Sequence, residues 1–180
     1  MMIETTRFGS ISVAEEDIVH FPEGMLGFSK LREYVLVERV DDSLFIWLQS
    51  VKKPSVAFPL LEPQIFEVNY KVELADEDQE TLKLETMKFA KVFSIVTIPS
   101  DPTKMTANLK APIVINLKER SAKQVILHTL DYPIRKSILA DLQRHCAVNQ
   151  RSIFPEPDAP APTYHAVHLS EEIETKAEQV

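Results

Sequence analysis

The sequence contains very little glycine. There are three glycines among 180 residues, whereas average usage predicts roughly 13. Two of them, Gly24 and Gly27, lie in the stretch HFPEGMLGF (20–28). Glycine is required where the backbone takes a positive φ or passes very close to another segment, so we interpret Gly24 and Gly27 as residues of a structural turn. The stretch lacks the Lys-Ser/Thr of a P-loop and the third glycine of a dinucleotide fingerprint, which argues against a nucleotide-binding loop.

Cysteine is also scarce, since Cys146 is the only one. A single cysteine excludes an internal disulfide and is typical of proteins in the reducing cytosol. His145 precedes it, but neighbouring helical residues point about 100° apart. We therefore interpret Cys146 as a core residue rather than a nucleophile.

The five histidines are scattered, and the closest pair, His165 and His168, has no further ligand nearby. The sequence predicts neither a metal site nor a cofactor.

Basic residues are in deficit, with 20 Lys and Arg against 27 Asp and Glu and a net charge of −7. Nucleic-acid binders usually carry a basic surface, so direct binding of nucleic acid is not expected. An acidic surface instead attracts basic protein partners.

No apolar run approaches the ~20 residues that a membrane-spanning helix needs, and the first ten residues lack the apolar core of a signal peptide. We expect a cytoplasmic protein without membrane association.

Alternation of apolar and polar residues predicts β-strands through most of residues 1–136. The clearest case is EVNYKVEL (67–74), in which every second residue is apolar. Further strands are predicted over 32–40, 44–51, 55–63, 89–99, 104–110, 113–118 and 123–128. These segments succeed one another too closely for crossover helices, which favours antiparallel pairing. The predicted fold is mostly β, an antiparallel barrel-like single domain with one or two short helices.

A strand register follows from the alternation. If 104–110 and 113–118 form a hairpin, their apolar residues share a face when Leu109 lies opposite Ile115. Asn108 then lies opposite Asn116 on the outer face.

Two helices and a tail complete the prediction. The segment 75–86 has an acidic first turn, which the helix dipole favours. The segment 137–150 places Ile138, Leu142 and Cys146 on one helical face. Residues 151–180 contain four of the twelve prolines and six acidic against two basic residues. We predict a flexible, Pro-rich acidic tail that is transiently helical near its end.

Carboxylates cluster at residues 15–17 and 76–78, where a solvated face or a helix start is the ordinary explanation. Nothing distinguishes a general acid from a general base within them, so the chain is not expected to be an enzyme. A small β-barrel hydrolase using a carboxylate pair nevertheless stays an alternative. A single-strand RNA-binding barrel is another, although Phe45, Trp47 and Phe58 lie in apolar runs typical of a core.

Several segments in order resemble the FliW family of flagellar assembly factors: HFPEGMLGF, WLQS, VAF, IVTIPSDPTKMTANLKAPIVIN, and KQVIL followed by DYPIR. The resemblance runs from about Ile3 to Arg135. It implies a β-barrel-like fold, no catalytic activity and two protein partners in the cytoplasm. One partner is flagellin before export. The other is CsrA, a small basic dimeric RNA-binding protein that represses translation of flagellin mRNA. Accumulating flagellin occupies the family's protein and leaves CsrA active, and secretion of flagellin reverses this.

The residues that contact the partners are a separate hypothesis. A basic partner suits acidic residues at a helix start, and polar residues on an outer sheet face are a second possibility. The candidates are Asp76, Glu77, Asp78, Glu80, Asn108 and Asn116. A capped, solvated helix and a structural cross-strand pair are the alternative explanations. The tail either adds long-range attraction to CsrA or mimics an anionic RNA strand, and a solubilising linker is the alternative explanation.

Overall fold

The structure is a computed structural model that describes residues 1–40, 44–129, 131–154 and 158–178. Its strands are β1 (Met2–Thr5), β2 (Gly9–Ser12), β3 (Ile18–His20), β4 (Glu33–Arg39), β5 (Ile46–Ser50), β6 (Ala57–Leu61), β7 (Ala90–Thr97), β8 (Thr106–Ala107), β9 (Ile113–Asn116), β10 (Ser121–Gln124), β11 (Lys136–Ser137) and β12 (Tyr164–Ala166). Its α-helices are α1 (Asp76–Leu82), α2 (Leu139–Asn149) and α3 (Leu169–Glu178).

Seven strands close into a barrel. β3, β4, β5, β6 and β7 pair in sequence, each antiparallel to the next, and β7 continues to β9 and then β10. A short parallel bridge between Ser121 of β10 and His20 of β3 completes the circle. Closure pairs strand edges that would otherwise be open. The predicted mostly β, barrel-like fold is confirmed, with three α-helices instead of one or two.

Alternate residues of the barrel strands fill its interior. The cluster there includes Leu36, Leu48, Leu60, Phe93 and Ile113, each at most 1% exposed. Each such side chain contributes about 1.5–3 kcal/mol when it is removed from water.

A second apolar cluster joins α1 and α2 to the barrel. Met105, Ala107 and Leu109 face it, as the alternation predicted, and Leu142 and Cys146 of α2 pack into it. The predicted helices are confirmed as α1 and α2.

The predicted strand over residues 67–74 is wrong. These residues pair with no strand of the described part of the chain, and Val68 is 83% exposed. Tyr70 is buried in the second apolar cluster, where its hydroxyl donates to the Leu109 carbonyl oxygen at 2.5 Å. The segment leaves a tight turn at Pro63 and crosses the apolar cluster as an irregular loop. The alternation of apolar and polar residues in 67–74 thus reflects packing of the loop against the apolar cluster. A β-strand would also need a neighbouring strand to accept its backbone hydrogen bonds.

The predicted hairpin between 104–110 and 113–118 is also wrong. β8 and β9 both pair with β7, at Val96–Thr97 and Ala90–Phe93 respectively, so they lie end to end along it. β9 pairs on its other side with β10. Asn108 begins the turn that separates β8 from β9, because its Oδ1 accepts the Lys110 and Ala111 N–H groups, each at 3.0 Å. Leu109 therefore does not oppose Ile115.

The predicted tail contains two elements of regular structure, and its flexibility stays a prediction. Residues 164–166 form β12, which pairs with β4, and residues 169–178 form α3. Apolar residues Ala166, Val167 and Leu169 of this part of the tail are buried against the barrel. Residues 155–157 and 179–180 lie outside the described residues. The division at 136 and 150 into domain, helix and tail stays a prediction.

Candidate partner-binding site

The HFPEGMLGF stretch forms consecutive turns. Gly24 has φ +71° and Gly27 has φ +82°, as the structural-turn interpretation requires. The Gly24 N–H donates to the Phe21 carbonyl oxygen at 2.9 Å, and the Phe28 N–H donates to that of Met25 at 2.8 Å. A Cβ on Gly24 would lie 2.6 Å from the Ser29 Cα, whereas one on Gly27 would meet nothing within 4 Å. Close packing thus adds a requirement for glycine at Gly24 alone.

Helix α1 presents an acidic surface. Asp76, Glu77 and Asp78 form its first turn, where they complement the helix dipole. Asp76, Glu77 and Glu80 are exposed, and we call these three the α1 acidic face. A charged surface of this kind suits a basic partner, because it raises the partner's local concentration.

Asp78 has a different role from the rest of the acidic group. Its carboxylate lies 2.8 Å from Lys123 Nζ on β10, and Glu23 Oε1 lies 3.3 Å from the same nitrogen. The hydrogen bond that Lys123 donates to the Asp78 carboxylate is the main reason why the pKa of Lys123 is raised. Both members of the pair are mostly buried, so Asp78 attaches α1 to the barrel.

Asn116, one of the predicted contact residues, is 4% exposed, which favours a structural role, and its contact with a partner stays a prediction. Its Nδ2 donates to the carbonyl oxygens of Leu82 and Lys83 at 2.9 and 3.1 Å, at the end of α1. Its Oδ1 accepts the N–H groups of Lys118 and Glu119. Asn116 thus joins α1 to the turn after β9, and the predicted cross-strand pair with Asn108 does not exist.

Reactive chemistry is not evident at the remaining candidates. Cys146 is buried, and burial raises its thiol pKa, which disfavours the thiolate. Within the described residues, no group of three His, Cys, Asp or Glu is placed to hold a metal ion. Of the candidate aromatics, Phe45 is buried, and Trp47 is half-buried with its ring against Phe8 at 5.6 Å between centroids.

Sequence reasoning missed a contact between Asp17 and the tail. Asp17 is 1% exposed, its Oδ2 lies 2.8 Å from His168 Nδ1, and its Oδ1 accepts the Leu169 N–H at 3.0 Å. The hydrogen bond between His168 and Asp17 is the main reason why the pKa of His168 is raised. Because about 150 residues separate the two partners, no local pattern predicts this contact. The mostly apolar stretch A-V-H-L is the only indication in the sequence that the tail packs against the domain.

Comparison with known proteins decides the family. The model of the family described as "FliW protein" matches residues 2–138. The chain belongs to the FliW family. A flagellar assembly factor FliW from Bdellovibrio bacteriovorus is 48% identical over 149 residues, covering 83% of this chain and 85% of that protein. One from Ruminiclostridium cellulolyticum is 39% identical over 145 residues, covering 80% of this chain and 98% of that protein.

A solved FliW structure supports the same assignment. The crystal structure of a flagellar assembly factor FliW aligns with a TM-score of 0.72 at 33% identity. The alignment covers 87% of this chain and 99% of that chain. The seven-stranded barrel is therefore a FliW fold, and residues 139–180 lie beyond the family model. Among the helices of the described residues, none is long and apolar enough to cross a membrane.

Proposed function

We propose that this chain is a cytoplasmic, non-catalytic regulator that binds CsrA and flagellin in a partner switch. The observation that carries the proposal is the FliW match over residues 2–138, together with relatives named as flagellar assembly factors. When flagellin accumulates, it occupies the chain and CsrA represses translation. When flagellin is secreted, the chain removes CsrA from the message.

We propose the α1 acidic face as part of the CsrA surface. CsrA is basic, and Asp76, Glu77 and Glu80 give α1 an exposed negative surface. The chain's net charge of −7 adds long-range attraction. Such attraction weakens as salt screens it, because the Debye length falls from about 10 Å at 0.1 M to about 3 Å at 1 M.

Charge reversal tests the α1 acidic face. The double variant Glu77→Lys, Glu80→Lys is expected to bind CsrA roughly tenfold more weakly, which corresponds to about 1.4 kcal/mol. Isothermal titration with purified CsrA at low and high salt measures the change. The matched control is Glu62→Lys, Glu174→Lys, which changes net charge equally at exposed positions outside α1. If both doubles lose the same affinity, only net charge matters and α1 is not the contact.

An RNA-binding measurement and an activity measurement separate the alternative functions. A single-strand RNA reader would bind an RNA oligonucleotide in the absence of CsrA, whereas the proposed regulator does not. A hydrolase would lose activity on neutralisation of one carboxylate while its binding of CsrA stayed the same.

A further inference from the structure

The C-terminal segment 164–178 covers one edge of the barrel. β3 pairs with Glu33–Val35 of β4 and stops there, and β12 pairs with Val37–Arg39 on the same edge. Two backbone hydrogen bonds extend the pairing, from Val40 N–H to Thr163 O and from Val167 N–H to Leu36 O, both at 2.9 Å. β12 thus occupies an edge that belongs to the family domain but that β3 leaves open.

The side chains of this segment fill apolar positions on the barrel. A third apolar cluster contains Ile3 of β1 and Ile11 of β2, and Ala166 and half-buried Tyr164 pack into it. The centroid of the Tyr164 ring lies 4.7 Å from that of Phe8. Val167 and Leu169 join the barrel-interior cluster. An extended chain laid on an edge, with alternate side chains in apolar positions, is the arrangement by which sheet edges bind peptides.

Polar side-chain contacts hold the segment at three places. His168 lies against Asp17, His165 Nε2 lies 3.1 Å from Glu38 Oε1, and Lys91 is paired with Glu172 of α3. The Leu169 N–H at the start of α3 also points at the buried Asp17 carboxylate. Both of the hydrogen bonds described for that carboxylate come from the segment, so any replacement must supply a donor there.

Three features of the segment suit it to reversible docking. It lies beyond the family model, which ends at residue 138, and its strand has three residues. The side chains of His165 and His168 are about half exposed, and Leu169 is the one buried residue among those described in α3. A ten-residue helix has marginal stability by itself, and elements with few buried contacts open first.

We propose that residues 164–178 are a displaceable strap over a peptide-binding edge of the barrel, and that the occupant admitted when the strap leaves is an extended segment of a partner protein that runs into a helix. The partner segment carries a cationic residue just before its helix, because Asp17 needs a donor and a positive charge there. Binding at this edge is thus regulated by the chain's own C-terminus.

A labelled synthetic peptide of residues 161–178 serves as the probe, titrated into full-length protein by fluorescence anisotropy. Val167→Asp in the full chain places a charge at a buried strap position and is expected to open the edge, so that the peptide binds at least tenfold more tightly than to the unchanged chain. Glu174→Gln, an exposed position of α3, is the matched control and should behave as the unchanged chain.

Circular dichroism and thermal melting establish that each variant is folded. A second variant, His168→Ala with Glu172→Ala, weakens the strap without altering an apolar position, and it replaces Val167→Asp if that chain does not fold. Equal peptide affinity for the opened and unchanged chains would overturn the proposal. Absence of binding to a folded, opened chain would overturn it as well.

Discussion

At the scale of single residues, Gly24 shows how a backbone requirement and close packing combine. Its φ is positive and a Cβ would contact the Ser29 backbone, whereas Gly27 has the positive φ alone. Gly27→Ala is expected to lower the free energy of unfolding by about 1–2 kcal/mol. Gly24→Ala should cost more, roughly 3–5 kcal/mol, because the turn must also shift. Urea denaturation of the two variants measures the difference, and equal losses would contradict the packing argument.

Replacement of a buried tyrosine by phenylalanine is expected to change stability in opposite directions at two positions. Tyr70 donates to Leu109 O, so Tyr70→Phe leaves that carbonyl without its donor and should cost about 1–3 kcal/mol. The Tyr34 hydroxyl has no hydrogen-bond partner among the described residues, and burial raises its pKa to about 12. Tyr34→Phe removes this desolvated hydroxyl and should stabilise the protein by about 1 kcal/mol. Thermal unfolding of both variants checks the signs, and a large loss for Tyr34→Phe would reveal a partner.

At the scale of elements, docking of the strap should depend on pH through His168. The groups that face it are Asp17 and Glu16 from the turn at 15–17 and Glu171 from α3. Since its pKa is raised in the docked state, protonation stabilises docking. This stabilisation is complete below the ordinary value of about 6.5 and is lost as pH rises through the raised pKa.

The amide of Val40, which donates to Thr163 O, reports docking by hydrogen exchange. After correction for intrinsic rates, its protection factor is expected to be roughly three- to tenfold higher at about pH 5.5 than at about pH 8.5. His168→Gln should remove most of this difference, and His128→Gln, an exposed histidine outside the strap, should not. A protection factor independent of pH in the unchanged chain would contradict the role of His168.

The sequence predicted elements whose pattern is local and missed those set by distant partners. β4, β5, β6 and β7 lie within predicted apolar runs, and α1 begins at its acidic turn. The end-to-end placement of β8 and β9 depends on the turn at Asn108, which alternation cannot reveal. In the candidate site, the acidic residues of α1 were identified, but the burial of Asn116 depends on α1 packing over it. The docking of the tail on Asp17 was likewise invisible.

At the scale of the whole molecule, a closed barrel carries two different surfaces. The α1 acidic face is exposed on the family domain, and the β4 edge is covered by a segment from beyond it. If CsrA binds at the first surface by charge, its affinity should fall as salt rises. Affinity unchanged between low and high salt would contradict an electrostatic contact.

Isothermal titration of the full-length chain with purified CsrA, repeated after saturation with flagellin, tests the partner switch most directly. We expect tight binding to CsrA that saturating flagellin abolishes. Binding that flagellin leaves unchanged would contradict the switch, since the two partners would then occupy the chain together. A lack of binding to CsrA across several salt concentrations and temperatures would contradict the proposed function itself.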